Sequence, residues 1–408
     1  MSNNALPLER VRALRAKFHS ELYDNVLPFW LTNSLDREHG GFFNCLDRDG
    51  SVYDTKKHIW LQGRQVWMMS KVHNTVAAGK SESQYLDAAH LGARFLRKNA
   101  RTKDNRVYFS LTREGKPHFM QRKMFSECFY VMAMAEYARA TGDKSARKEA
   151  RCLFESVLEY AKDPSLLGRA VYKGGKPTSD LAVPMILLNL VEELRDPGET
   201  AWADVEKWCV KRIDLHIRPE LGLVLETVGV NGELIDSPEG RLVNPGHAIE
   251  AGWFLLAYAE RNGLKDLAQK ALQMMDWSYN YGWDNEYGGI YYFLDRTGRS
   301  PLQLEWPMKL WWPHCESMVA FIMAYESTGD ARWVRLFDQV TDYSFDHFKD
   351  PRFPEWFGYL DRRGDVSQRF KGGPYKGCFH VPRSLFLVEQ ALGRIEAKLV
   401  AEEKKNRV

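Results

Sequence analysis

Apolar residues recur along this chain at two spacings, and the alternation between them divides it into units. Leu8, Val11, Leu14, Phe18, Leu22 and Val26 return every three or four positions with Arg, Lys and Glu between them, which predicts an amphipathic helix over 8–30. Downstream the helical stretches are of two kinds. Residues 128–140, 181–191, 248–259, 317–325 and 381–392 are apolar nearly all round and should be buried. Residues 88–98, 146–162, 205–217, 264–277 and 331–345 carry charge on one face and should meet water on that face.

Short aromatic runs ending in glycine separate these helices. His39-Gly40-Gly41-Phe42-Phe43-Asn44-Cys45-Leu46-Asp47-Arg48-Asp49-Gly50 returns far downstream as Tyr287-Gly288-Gly289-Ile290-Tyr291-Tyr292-Phe293-Leu294-Asp295-Arg296-Thr297-Gly298. Weaker copies occupy 107–115, 171–175, 223–232 and 356–364, and each reads as a hairpin. The closing glycines at 50, 115, 175, 232, 298 and 364 lie 57 to 66 residues apart, room for two helices and a hairpin. Six units of this kind predict an all-α fold with an inner and an outer layer of helices. The fold should close into a ring with short β-hairpins at one end, because no unit has the polar outer face that an open stack needs at its ends. One domain over 1–408 is expected, with 398–408 a solvated tail.

The 13 Trp and 18 Tyr suit a sugar cleft, and they suit a large core equally well. Basic and acidic residues balance to a net charge of +3 and are scattered, which argues against a nucleic-acid partner. The six cysteines form no Cys-x-x-Cys pair, so neither a zinc knot nor a disulfide framework is indicated and a cytoplasmic location is expected. No signal-like start and no apolar run of membrane-spanning length appear.

Counting from the closing glycines brings ionisable residues into register. His247, His314 and His380 fall 15 or 16 residues after a closing glycine and Arg64 falls 14 after one, which puts all four at the rim where buried helices begin. Glu127 is the offset match in the second unit, at 12 residues, and Asp180 a poorer one in the third. His247 opens the stretch Asn244-Pro245-Gly246-His247-Ala248-Ile249-Glu250, a polar turn running into an apolar helix. The helix dipole there should disfavour imidazolium and leave a neutral base, although histidines at helix starts also cap and pack. Three histidines could make an open zinc site, but each comes from a separate helix and no His-x-x-x-His pair supports it, so no metal is expected. Glu250 and Glu316 complete the rim charges and keep a glycosidase with paired acids open. Trp60, Trp253, Trp306, Trp311, Trp312, Trp356 and Tyr375 lie near the same rim. Cys315 and Cys378 adjoin it, and no phosphate-loop or dinucleotide motif occurs.

Gln62-Gly63-Arg64, Asn244 to Trp253, Trp311-Trp312-Pro313-His314-Cys315-Glu316 and Gly377-Cys378-Phe379-His380-Val381-Pro382-Arg383 resemble the N-acylglucosamine 2-epimerases, also called renin-binding proteins, and the animal-type enzymes most. The similarity runs over essentially the whole chain. It implies an (α/α)6 barrel and interconversion of N-acetylglucosamine and N-acetylmannosamine, a step towards sialic acid, usually by a homodimer. It further implies His247 and His380 as the acid/base pair, with Arg64, Glu250 and Glu316 in the pocket. His314, Trp312, Trp253 and Glu127 are expected to contact the sugar. No cofactor is implied; ATP or a related nucleotide acts as an effector of some members, and renin is an implied partner. Cellobiose 2-epimerases share the barrel, so an epimerase or isomerase of another sugar is the nearest alternative. An (α/α)-barrel hydrolase and a non-catalytic binding protein are the more distant ones.

Overall fold

The computed structural model describes residues 6–77, 83–168, 174 and 176–406. Along the chain the outer and inner helices alternate. The outer α1 (Leu8–Ser20) widens into a π-helical stretch, Glu21–Val26, and continues as α2 (Leu27–Asn33). Then follow α3 (Ile59–Val76), inner; α4 (Gln84–Asn99), outer; α5 (Phe125–Thr141), inner; and α6 (Lys144–Lys162), outer. The second half repeats the order with α7 (Ala182–Leu194), α8 (Ala203–Asp214), α9 (Pro245–Arg261), α10 (Lys265–Gly282), α11 (Trp311–Thr328), α12 (Ala331–His347) and α13 (His380–Lys405). The layers follow from the residue pattern. Every residue of α5 from Ser126 to Ala138 is buried, whereas α6 buries only Ala146, Ala150, Leu153, Phe154 and Val157, a single stripe. The result is an all-α (α/α)6 barrel.

The β-structure differs from six separate hairpins in an informative way. Hairpins form at 45–54, 110–119 and 359–368 as the sequence suggests. In the fourth unit, however, the hairpin is Ile217–Arg218 with Leu223–Val224, and Thr227–Gly229 pairs backwards with Thr178–Asp180. In the fifth unit Leu294–Asp295 pairs with Leu242–Val243. The copy at 171–175 lies outside the described residues except Gly174. A common rule covers these pairings: the short strand entering an inner helix pairs with the hairpin region of the next unit. Lys57–His58 pairs with Ser110–Leu111, and Lys309–Leu310 with Tyr359–Leu360. Gly372, entering α13, meets the first unit, since Leu46 donates to its carbonyl (3.1 Å) and Leu46 accepts from Lys371 and Gly372. The last repeat is thereby joined to the first. The closing glycines Gly50, Gly115, Gly232, Gly298 and Gly364 all have φ between +74° and +91°, a conformation that an L side chain resists, which explains their recurrence.

Buried charge clasps lock the same seams. Asp36 accepts from Lys57 and Arg113, Asp284 from Lys309 and Arg362, and Asp350 from Arg48, with the Lys371 ammonium 3.0 Å away. In each set the arginine comes from the unit that follows the aspartate. Burial alone would raise these carboxyls, but the cations hold all three well below the ordinary value of 3.8. A folded pKa below the unfolded one gives stability that is present above pH ~4 and is lost as pH falls towards the folded value. Acid unfolding should therefore open the ring. Asp350→Asn, at the seam that joins the ends, should cost about 3–5 kcal/mol in urea unfolding near neutral pH, because it removes the carboxylate from the fully buried Lys371 and leaves that ammonium the neutral Glu355 carbonyl.

Two expectations shift at the termini. The solvated tail begins later than 398, since α13 runs to Lys405 and Leu399 is buried. Trp356, expected at the rim, is a core residue donating to Glu21 in the π-helical stretch (2.8 Å). Among the described residues no helix is long and apolar enough to cross a membrane.

Candidate active site

The inner helices surround a cavity of about 700 Å³ whose lining includes Arg64, His247, Glu250, Trp312, His380 and Arg383. Close backbone approaches place these side chains. A Cβ on Gly63 would stand 2.4 Å from the Phe129 carbonyl, so α3 and α5 touch there, and Arg64 lies 4.1 Å over the Phe129 ring. A Cβ on Gly246 would meet Trp312 at 2.6 Å, so the starts of α9 and α11 abut and His247 lies against Trp312 (5.1 Å). His380, the first residue of α13, packs near the same indole (6.0 Å). Trp312 is thus flanked by both imidazoles.

Each imidazole is held at Nδ1 by a carboxylate. Nδ1 of His247 is 3.0 Å from both oxygens of Glu226, and that of His380 is 2.7 Å from Glu316. The Nδ1 proton committed to a carboxylate leaves Nε2 for the cavity. Their proton affinities diverge. Burial lowers the His247 pKa, but the Glu226 charge and hydrogen bond outweigh it and leave the group raised above 6.5. For His380, burial and the nearby cations Arg64 and Arg383 prevail over Glu250, so its pKa lies well below 6.5. The surroundings of His380 thus favour a neutral imidazole, the state expected at His247 from the sequence, more than those of His247 do. Glu226→Gln should move the pH-rate limb that belongs to His247 down by about 1–3 units, which pH profiles of kcat and kcat/KM would register.

Behind the histidines, one Nη2 of Arg383 donates to Glu250 and to Glu316, 2.6 Å each, and Trp253 donates to the other Glu316 oxygen (3.1 Å). Oxygens of Glu250 and Glu316 and a nitrogen of His380 lie within 4.8 Å of one another, a spacing that a metal ion could use. The guanidinium already supplies the cation between the two carboxylates. Arg64 differs from Arg383 in that, among the described residues, it makes no hydrogen bond or ion pair, although the Nε of each is buried without a partner. Burial and the like charge of Arg383 pull it down to about 9, so it stays a cation near neutral pH.

Several sequence expectations fall outside the cavity. His314 is fully buried, with Nδ1 2.6 Å from the Leu310 carbonyl and Nε2 accepting from the Ile290 amide at 2.9 Å; burial brings it down to about 3. It pins the fifth unit instead of touching ligand. Glu127 accepts from Arg106 (2.7 Å) and the Val107 amide (3.1 Å) and is structural. Trp253 and Glu316 stand behind the lining and act through His380 and Arg383. Burial pushes the Cys315 and Cys378 thiols upward, which removes them as nucleophiles. Glu250 orients Arg383 and not His247. Glu226 and Arg383 carried no assignment in the sequence: Arg383 stands three residues after His380, a helical-face signal, while Glu226 comes from a strand segment whose pairing is long-range.

An (α/α)6 barrel whose cavity holds two carboxylate-bound imidazoles is what the sugar epimerase family among its relatives accounts for. Residues 41–381 match the family model described as N-acylglucosamine 2-epimerase (GlcNAc 2-epimerase), and the chain belongs to that family. It is 45% identical over 398 residues to the N-acylglucosamine 2-epimerase of Bos taurus, covering 96% of this chain and 94% of that one. Against a cellobiose 2-epimerase of Ruminococcus albus it is 25% identical, covering 84% and 89%. The solved cellobiose 2-epimerase from Spirochaeta thermophila superposes with a TM-score of 0.79 at 21% identity, covering 95% and 98%, and shares the fold.

Proposed function

We propose that this enzyme interconverts N-acetylglucosamine and N-acetylmannosamine by removing and returning the C2 proton of the open-chain sugar, without a resident cofactor. The observation that carries the reading is the pair of carboxylate-held imidazoles facing one cavity. In the open-chain form the C1 aldehyde acidifies the C2–H bond. Neutral His380 takes that proton through Nε2, the C2–H electron pair delocalises on to the C1 oxygen as a 2-acylamino enolate, and His247 as imidazolium delivers a proton to the opposite face. The reverse reaction exchanges the roles. Each proton transfer contributes roughly 10²- to 10⁴-fold. Arg64, which stacks on Phe129 and makes no hydrogen bond or ion pair among the described residues, is the group for the developing C1 oxyanion, and a preorganised cation away from water is often the larger effect.

The mammalian relative supports the N-acyl substrate. A hydrolase reading has lost its acids, because Arg383 holds both carboxylates together instead of letting them flank a bond. Six free cysteines, five of them buried, support a cytosolic compartment, and a buried core continuous from Leu6 to Leu399 supports one domain. Incubation with N-acetylmannosamine, mannose and cellobiose separates the sugar classes. We expect N-acetylglucosamine from the first as the dominant product; preferential epimerisation of cellobiose would refute the N-acyl assignment.

A further inference from the structure

Two walls of the cavity differ in chemistry. The ionisable groups Arg64, His247, Glu250, His380 and Arg383 come from α3, α9 and α13, while the α5–α7 side presents Phe129, Met132, Met185 and Ile186, with Lys123 and Ser126 at its α5 end. Ala182, Met185, Ile186 and Asn189 follow helical spacing, so one stripe of α7 faces the ligand space. Within that apolar quadrant Asn189 is 8% exposed and its Oδ1 has no hydrogen-bond partner. Its amide enters no hydrogen bond with any other described residue. A buried amide oxygen without a partner lacks a donor.

We infer that the α7 stripe is the N-acyl subsite, with Asn189 pairing to the substrate amide and Met185 and Ile186 enclosing the acyl chain. This rests on the proposed function. With C2 between His247 on α9 and His380 on α13, and C1 towards Arg64 on α3, the C2 substituent has the α5–α7 quadrant left to it. A hydroxyl at C2 could donate to Asn189 but would leave the apolar side chains without contact. An N-acyl group supplies a carbonyl acceptor, an N–H donor and an apolar tail in one unit. Charged walls elsewhere would desolvate poorly against a methyl group. The quadrant therefore sets acyl preference separately from the chemistry at C2.

The test compares kcat/KM for N-butanoylmannosamine with that for N-acetylmannosamine in wild type, Met185→Ala and Ile186→Ala. Pocket discrimination by a methylene is on the order of tenfold or more, so enlarging the quadrant should raise the butanoyl-to-acetyl ratio about tenfold in at least one of the two variants. Asn189→Leu should raise KM for N-acetylmannosamine by about tenfold or more, with a smaller change in kcat. A ratio within about twofold of wild type in both α7 variants, together with an unmoved KM in Asn189→Leu, overturns the inference while leaving epimerisation intact. Wild-type protein that leaves N-acetylmannosamine unchanged overturns the proposed function and this inference with it.

Discussion

Replacing His380 by Asn is expected to lower the interconversion rate by about 10²- to 10⁴-fold, and His247→Asn should do the same. Asn retains a group near the Nδ1 position that can reach the carboxylate, so the fold should survive and thermal melts should move little. The two losses should nevertheless differ in kind. His380→Asn leaves the Glu226-held His247 able to take a proton from one epimer, and His247→Asn leaves the Glu316-held His380 able to take it from the other. Each single variant should exchange the C2 proton of one sugar with solvent without producing its epimer, and the two should choose opposite sugars. Proton NMR of each variant with each epimer reads this directly. A variant at either position that interconverts at near wild-type rate would remove that histidine from the reaction.

Arg383→Met should cost about 3–5 kcal/mol in urea unfolding at neutral pH. The guanidinium is buried and sits 2.6 Å from both Glu250 and Glu316, and burial opposes its charge less than those carboxylates favour it, so its pKa is raised. Without it two carboxylates face each other away from water. Repulsion would raise the folded pKa of at least one above its unfolded value. The sign is then fixed by linkage: the protonated state is favoured in the folded variant, so its stability improves as pH falls through that raised value and declines as pH rises. The deficit relative to wild type should shrink on mild acidification. Activity should fall as well, since Glu316 would no longer be held in place to orient His380.

Much of the architecture was legible because helix layers depend on residue pattern. An inner helix touches neighbours on nearly every side and an outer helix on one, and 128–140 against 146–162 states that difference in residues. The inter-unit strand pairing was not legible, because the strands are two or three residues long and their partners lie about 50 residues away. Site register failed at His314 for a geometric reason. Offsets from a closing glycine measure distance along the chain, but side-chain direction turns by about 100° per residue in a helix. His380 is the first residue of α13, His247 the third of α9 and His314 the fourth of α11, so equal offsets aim differently and His314 turns towards Ile290. The pull of Glu226 on His247 was not legible either, because that carboxylate, 3.0 Å from Nδ1 and stronger than a helix dipole, arrives from another segment.

The central claim is that C2 loses and regains a proton through two exchangeable bases. Incubating wild-type enzyme with N-acetylmannosamine in D₂O and following C2 by NMR tests it most directly. N-acetylglucosamine should carry deuterium at C2 from the earliest turnover. Epimer that accumulates with its C2 still protonated would contradict that claim.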